Sequence, residues 1–467
     1  MLPSPLNVIE GQVHDLEYAA PSATRTAPRL SRPFIVALMI ANFGTNVALI
    51  APIENILPRM VESATGSAGK AVGLGIVTGL GAFAALVVNP LAGHLSDRWV
   101  SADNRARMVI IGLVTGGVAH AILGLQHSIV SIAIWWTLCQ ATINIAYSPM
   151  SAIVVDHVDR RSWGFVWGLI SMAQAVGLIV GFAAVVLVFP SVTGGMTAIS
   201  VGYVVCLIPL VFVLYWLPRV SYPPGGGRPP DVRPGGPDRK AADLIGPTRT
   251  NGNPSEQPPV SSADRSDGEA RGLLTGLTAL LSVGQGFGLV WFGKFLVTLA
   301  ETIALLYLFY YLQDVVHYNN PGRGQLILIA VATLAVIVAT VTVGRIADRS
   351  GGYRRYAVLA SLLMAAVGFV LAGTAQWALV IVCALALGAG YGAFQSVSQA
   401  LSIVVLPDQA HAGRDLGIIN VASAVPQVIG APIAGLVVAG AGGYRGLFVF
   451  AGLLAIAAAL VFTRVRS

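Results

Sequence analysis

The sequence predicts an all-α membrane protein of twelve transmembrane helices, arranged as two pseudo-symmetric halves of six. Three observations carry this. Hydrophobic residues make up 55% of the 467 residues and charged residues only 10%, against roughly 25% charged in a soluble domain. Twelve stretches are apolar over the ~20 residues a helix needs to cross the hydrocarbon core. Short charged elements also recur at equivalent places in the two halves. A soluble chain this poor in charge could not cover its own surface, whereas in lipid each ionisable side chain at mid-depth costs at least ~2.5–3.5 kcal/mol.

In chain order, the first six spans fall at about 34–57, 71–96, 108–126, 129–152, 164–190 and 196–217. The second six fall at about 290–313, 325–346, 356–374, 377–400, 415–439 and 444–463. Residues 1–33 read as a disordered arm in which Glu10, Asp15 and Glu17 balance Arg25, Arg29 and Arg32. The arm lacks a positive region leading at once into an apolar run, so no cleavable signal peptide is expected. Residues 218–271, rich in Pro, Gly and Ser and containing Pro223-Pro224-Gly225-Gly226-Gly227, read as a disordered linker between the halves. The second half, 272–467, opens with the uncharged stretch 272–289, read as an interfacial lead-in to helix 7. A thirteenth span there would put Arg345, Arg349, Arg354 and Arg355 on the wrong side.

Charge placement supplies the orientation. Of the 28 Lys and Arg residues, only Arg59, Lys70, Arg323 and Arg445 fall in connections on one side, and Lys294 falls within a span. The remainder lie on the other side, which is therefore cytoplasmic and carries both termini, in a multi-pass protein of the cytoplasmic membrane. The net charge of +7 is thus a topology signal, and nucleic acid is excluded as a partner. Cys139, Cys206 and Cys383 lie inside apolar spans and have no metal-ligand spacing or disulfide framework. The cytoplasmic segments hold no phosphate loop, nucleophile elbow or His-rich cluster, which excludes the common enzyme classes.

Gly93-His94-Leu95-Ser96-Asp97-Arg98 closes the second span, and Gly344-Arg345-Ile346-Ala347-Asp348-Arg349 closes the eighth, displaced by 251. Gly164, Gln174 and Gly177 match Gly417, Gln427 and Gly430 at a displacement of 253. Parallel halves of this kind are a transporter signature. The charged elements, with Arg105 and Arg107 or Arg354 and Arg355 beyond them, read as a cytoplasmic gate. Glycine admits a neighbouring helix closely, and a boundary aspartate caps a helix or pairs with arginine. A pair of topology-setting loop charges is the alternative.

With Asn89-Pro90-Leu91-Ala92-Gly93 before the first element, the chain resembles the major facilitator superfamily. The run from Leu306-Tyr307-Leu308 to Gln313-Asp314, Leu406-Pro407-Asp408 and Asp415-Leu416-Gly417-Ile418-Ile419-Asn420 make it similar to the glycoside-pentoside-hexuronide cation symporters and sucrose-transporter-like proteins. The resemblance spans nearly all of the chain outside the arm and linker. It implies alternating-access transport and a path lined by helices 1, 4, 7 and 10. Melibiose-type members hold their coupling cation with acids in helices 2 and 4. Here neither helix has an acid before Asp97 or Asp156, so that sodium site does not carry over. Helix 5 also lacks the glycine-proline motif of drug/proton antiporters.

The expected lining helices each carry a polar stripe. These are Asn42 and Asn46 on helix 1, Gln140 and Asn144 on helix 4, Thr298 and Thr302 on helix 7, and Gln395 and Gln399 on helix 10; Asn420 on helix 11 joins them as a cavity candidate. Interhelical hydrogen bonding is the alternative role for each. Glu301, near the middle of helix 7, is the proton-coupling candidate, since intramembrane acids mark ion or substrate pathways. Glu54, nearer the outer end of helix 1, is the second candidate, with an outer-mouth role as its alternative. Trp135 and Trp136 read as an interfacial aromatic belt, and Tyr307, Tyr310 and Tyr311 as rings that could stack on a sugar. The expectation is a monomeric carrier without a cofactor, with protons as coupling ion, of a small polar organic solute such as a sugar or glycoside. Efflux of a natural product or drug is the alternative, and a non-transporting receptor or scaffold the remote one.

Overall fold

In the computed structural model the described residues are 32–98, 102–158, 163–216, 285–404, 412–440 and 442–465. The expected linker and nearly all of the expected N-terminal arm lie outside them, as do residues 272–284 of the lead-in. Among the described residues every regular element is helical.

Helix α1 (Arg32–Ala51) passes through a π-helical turn, Pro52–Ile56, straight into α2 (Leu57–Arg98). By length and composition this is one apolar run of 65 residues, Arg32–Ser96. A straight helix of that length would measure about 98 Å, some three times the hydrocarbon core. The run is broken at Gly66, whose φ of 71° and ψ of 178° are open to glycine alone. Beyond it the chain doubles back. A Cβ on Gly73 would lie 2.9 Å from Val61 Cγ1, and Lys70 Nζ is 3.0 Å from Glu62 Oε1. A continuous helix would hold the first pair about 18 Å apart along its axis. The sequence expectation of two spans holds, but the loop expected at 58–70 shrinks to a turn at one glycine.

The remaining helices are α3 (Ala102–Leu123), α4 (Ile129–His157), α5 (Trp163–Ala183, extended by a π turn at Ala184–Val188) and α6 (Val192–Trp216). The second half comprises α7 (Gln285–Leu306), α8 (Pro321–Ser350), α9 (Tyr353–Gly373), α10 (Trp377–Val404), α11 (Ala412–Gly440) and α12 (Gly443–Thr463). Helix α7 begins five residues before the expected span and, after a break at Tyr307, continues as Leu308–Asp314. Local chemistry marks several ends. The side chains of Ser128 and Asn320 accept from Ser131 N and Arg323 N to cap α4 and α8, and Gly351 ends α8 in the left-handed conformation.

The two halves repeat one packing scheme. Helix α1 packs on α5 and α6 as α7 packs on α11 and α12. The α2–α4, α3–α4 and α3–α6 contacts likewise recur as α8–α10, α9–α10 and α9–α12. Contacts between halves run through α2 on α11 and, less extensively, α5 on α8, which are themselves related by the repeat. Large apolar side chains such as Phe83, Val130, Phe165, Phe212, Leu334 and Leu436 point outward, as they must where the solvent is lipid rather than water.

Gly66 and Gly168 separate backbone from packing effects, because a Cβ at either position meets nothing within 4 Å and only Gly66 has positive φ. Gly66→Ala is expected to destabilise the detergent-solubilised protein by about 1–3 kcal/mol. Gly168→Ala, in the interior of α5, should leave the thermal midpoint unchanged or raise it.

Candidate functional site

The halves are fastened together at the end of the bundle where Gly66 lies. Lys70, on α2 and only 4% exposed, places its ammonium 3.0 Å from Glu62 Oε1 and 2.8 Å from Asp314 Oδ2, so that one cation holds an acid from each half. Gln313 Nε2 donates to both oxygens of Glu62 at 3.0 and 3.2 Å, and the Tyr444 hydroxyl donates to Asp314 Oδ2 at 2.8 Å. The ammonium also sits 4.7 Å from the centre of the Tyr310 ring. Two tyrosine hydroxyls then cross between the halves to backbone carbonyls, Tyr310 to Pro58 O at 2.7 Å and Tyr307 to Ala71 O at 2.8 Å.

Glycines let the backbones meet behind this clasp. A Cβ on Gly75 would fall 2.6 Å from Ala431 O, one on Gly79 would fall 2.9 Å from Pro432 Cγ, and one on Gly435 would fall 2.9 Å from Ala71 O. Helices α2 and α11 therefore touch along a seam that no larger residue could occupy unshifted.

On the far side of the clasp from Gly66 lie two adjoining cavities. One, of about 300 Å³, has Leu305, Leu308, Leu328, Val336, Leu387 and Phe448 in its wall, with Asn46, Gln174, Thr333 and Tyr391 as polar members. The other, of about 580 Å³, is lined by Thr78, Asn89, Gln140, Asn144, Thr302 and Gln427 among apolar neighbours. Glu54 and Glu301 line both. The two carboxylates come from opposite halves and meet at the junction of the two spaces. Glu54 stands on the π turn, where Leu57 N–H bonds to Pro52 O; such one-residue insertions re-aim side chains and gather at functional sites. Its carboxylate accepts from Gln325 Nε2 of α8, and Glu301 accepts from the hydroxyl of Tyr391 on α10.

Several sequence-predicted residues come together here and others do not. Asn46, Gln140, Asn144, Thr302, Glu54 and Glu301 line the cavities. Glu54 belongs inside rather than at an outer mouth. Asn42 is buried behind them, where its Oδ1 accepts from Gln174 Nε2 at 3.2 Å, and Thr298 is buried one turn from Thr302, whose hydroxyl bonds to its carbonyl at 2.8 Å. Gln395 and Gln399 line neither cavity, and the side chain of Asn420 lies outside the described residues. Gln174, Gln427 and Tyr391 also line the cavities, and Gln325, which lines neither, donates to Glu54; none of the four was singled out as a lining residue. The first two were visible as the 253-residue echo between the halves, which marked them as equivalent without giving them a face.

Two aromatic expectations are corrected. Tyr307, Tyr310 and Tyr311 line neither cavity; all three are buried and spend their hydroxyls on carbonyls, Tyr311 on Thr374 O at 2.8 Å. Trp136 is fully buried and packs where a Cβ on Gly81 would strike its indole, so it is an interior residue rather than part of an interfacial belt.

The expected gate elements lie at the opposite end from the clasp. Gly93 faces Ser148 and Gly344 faces Ser396, each within its own half. Asp348 accepts from the Tyr353 hydroxyl at 2.9 Å, and Arg354 donates to Val465 O at 3.1 Å. Arg105 is buried, Arg107, Arg349 and Arg355 are exposed or partly so, and the side chains of Asp97 and Arg98 lie outside the described residues.

The sequence model of the Major Facilitator Superfamily matches residues 33–351 and again residues 290–467. A crystal structure of the nucleoside transporter NupG is similar over 92% of this chain and 98% of its own, with a TM-score of 0.65 at 13% identity. A POT family transporter in complex with 5-aminolevulinic acid is similar over 92% of this chain and 95% of its own, with a TM-score of 0.63 at 13% identity. At such identities the likeness is one of fold. The search among curated proteins found no match.

The clasp makes a direct prediction. Lys70→Met leaves Glu62 and Asp314 side by side without their cation and removes charge-assisted contacts of roughly 1.5–3 kcal/mol each. Spin labels on Ser67 and Asn319, both exposed near the clasp, should report a short separation in the parent protein. In Lys70→Met a longer separation should gain population tenfold or more; an unchanged distance distribution would mean that the clasp does not hold the halves.

Proposed function

The chain belongs to the Major Facilitator Superfamily, which makes it a membrane transporter rather than an enzyme, and from that premise we propose that it is a proton-coupled carrier of a small organic solute. The reading is carried by one observation, that Glu54 and Glu301 face a shared cavity from opposite halves. An ionised carboxylate is poorly tolerated at that depth, so each is best occupied by a proton or by a bound ligand. Loading and unloading would change how well the halves close around the cavity, which is what couples an ion gradient to alternating access.

The basic-residue distribution assigns the clasp end to the outside and both termini to the cytoplasm. In that orientation the described conformation is closed outside, and the Asp97 and Asp348 elements are the gate that closes in the opposite state. The protein then works as a monomer in the cytoplasmic membrane, with no cofactor besides the coupling proton.

Two substrate readings follow from the two cavities. The amides of Gln140, Asn144 and Gln427 around the larger one suit a polar solute such as the sugar or glycoside that the family resemblance implies. The smaller cavity favours the other reading, efflux of an amphiphilic natural product or drug. A sugar lodged against Leu305, Leu308, Leu328 and Phe448 would leave hydroxyls unpaired at a cost of roughly 1–3 kcal/mol each.

The coupling reading is tested in proteoliposomes under an imposed pH gradient, with labelled sugars, nucleosides, peptides and organic amines offered in turn. For whichever solute the parent protein drives, Glu301→Gln should abolish gradient-driven movement while keeping exchange of labelled for unlabelled solute. Gradient-driven movement that survives in Glu301→Gln would contradict proton coupling at this residue.

A further inference from the structure

Glu54 faces the two central cavities, and the next residue on the π turn, Asn55, faces a third. This third cavity lies beside the clasp and measures about 290 Å³. Both halves wall it, the first through Asn55, Arg59 and Pro190, the second through Phe309 and residues 319–322. No Asp or Glu lines it, and the nearby acids Glu62 and Asp314 are held by Lys70.

N–H donors line it from three elements. Arg59, near the start of α2, donates from Nη1 to Pro190 O at 2.7 Å. Both ion pairs among the described residues belong to Lys70, so the other N–H groups of Arg59 are open to a ligand. The thirty-residue helix α8 begins at Pro321 in the cavity wall. Pro321 has no N–H, Arg323 N is capped by Asn320 Oδ1, and Gly324 N bonds to Asn320 O at 3.0 Å. Gly322 N–H is then the open donor of that first turn, at the positive end of the helix dipole.

An arginine and a helix terminus alone would be an ordinary surface feature, but Asn55 is not ordinary. It is 4% exposed, yet its amide bonds to nothing among the described residues. Asn42, Asn46 and Asn144, by contrast, each donate to a carbonyl of the protein. Nδ2 of Asn55 is turned toward the first turn of α8, where a Cβ on Gly322 would lie 2.6 Å from it. A buried amide left in this way is completed by a ligand or by water. Here the surrounding groups are donors and a guanidinium, which select a negatively charged acceptor.

We propose that this cavity binds a phosphate group through Asn55, Arg59 and the N-terminus of α8, and that the bound group fastens the two halves in the conformation closed at the clasp end. Donors from three elements fit a tetrahedral oxyanion better than a flat carboxylate. Because the donors come from both halves, the site exists only while they are together, and by linkage its ligand favours that state. The inference is independent of proton coupling at Glu301.

The test uses the full chain in dodecyl maltoside micelles, which contain no phosphate. Inorganic phosphate is the probe and sodium chloride at equal ionic strength the reference. Phosphate is expected to raise the thermal midpoint saturably by about 2 °C, with no such rise in chloride. Asn55→Leu, which removes a donor without breaking an internal bond, and Arg59→Gln should each abolish the rise. Spin labels on His127 and Ala375, exposed at the clasp end with one in each half, read the fastening. In Lys70→Met the population of the longer separation should fall about tenfold at ten times the half-saturating phosphate concentration. Phosphatidylglycerol added to the micelles separates two sources of the group. A site filled by a lipid headgroup gives the Asn55-dependent rise with lipid alone, whereas a site for the free ion gives it with phosphate alone. No rise in the parent protein from either source, or a rise that survives in both variants, would overturn the site. A rise with unchanged separations would overturn the fastening. If Asn55→Leu fails to fold, Arg59→Gln and the parent protein still decide.

Discussion

The Lys70 ammonium is bound to one acid from each half of the molecule, and the rest of the arrangement hangs from that contact. A buried cation cannot be left unpaired, so α2 and the end of α7 must meet wherever Glu62 and Asp314 are both to reach it. Once they meet, Tyr307 and Tyr310 fall against backbone carbonyls of the first half, and the glycines of α2 and α11 settle into a seam. Each of these contacts is modest by itself. Together they place the two halves in register at one end and leave the space beneath them unfilled.

That space is where the two intramembrane glutamates stand, one on each half. Its position follows from chain geometry. The π turn at Pro52–Ile56 aims Glu54 inward from α1, and the regular period of α7 places Glu301, Thr302 and Leu305 on the cavity side. The contrast between the two sites explains the division of labour. Lys70 with Glu62 and Asp314 is electrically satisfied and can act as a fastener. Among the described residues Glu54 meets the Gln325 amide and Glu301 the Tyr391 phenol, and on the proposed reading each takes up a proton. A carrier needs both kinds of site, one that holds the halves and one whose occupancy changes their preference.

Much of this was legible in the sequence because the bilayer imposes simple demands. Apolar length marked the twelve spans, and the basic residues supplied an orientation that enters only the proposed function. Even so, the run from Arg32 to Ser96 hid its turn, since a single glycine at positive φ leaves no break in composition. Glu301 stood out as an acid within an otherwise apolar helix. Glu54 was visible too, but its depth depends on a one-residue π insertion that has no sequence period. The tyrosines after Leu306 were misjudged because an aromatic cluster looks alike whether it faces a ligand or a backbone carbonyl. Gln325 and Tyr391 could not be separated from ordinary interhelical polar groups, as their importance lies only in which carboxylate they face.

The central claim is that the halves rock about the cavity, so that opening one end closes the other. Two distances measured in the same nanodisc preparation test it most directly: one between spin labels on Ser67 and Asn319 at the clasp, the other between labels on His94 and Arg345 near the opposite end. As pH is lowered from 8 to 5.5, the account predicts reciprocal changes with a shared midpoint, one pair lengthening as the other shortens. Two distances that stay fixed, or that lengthen together, would contradict it.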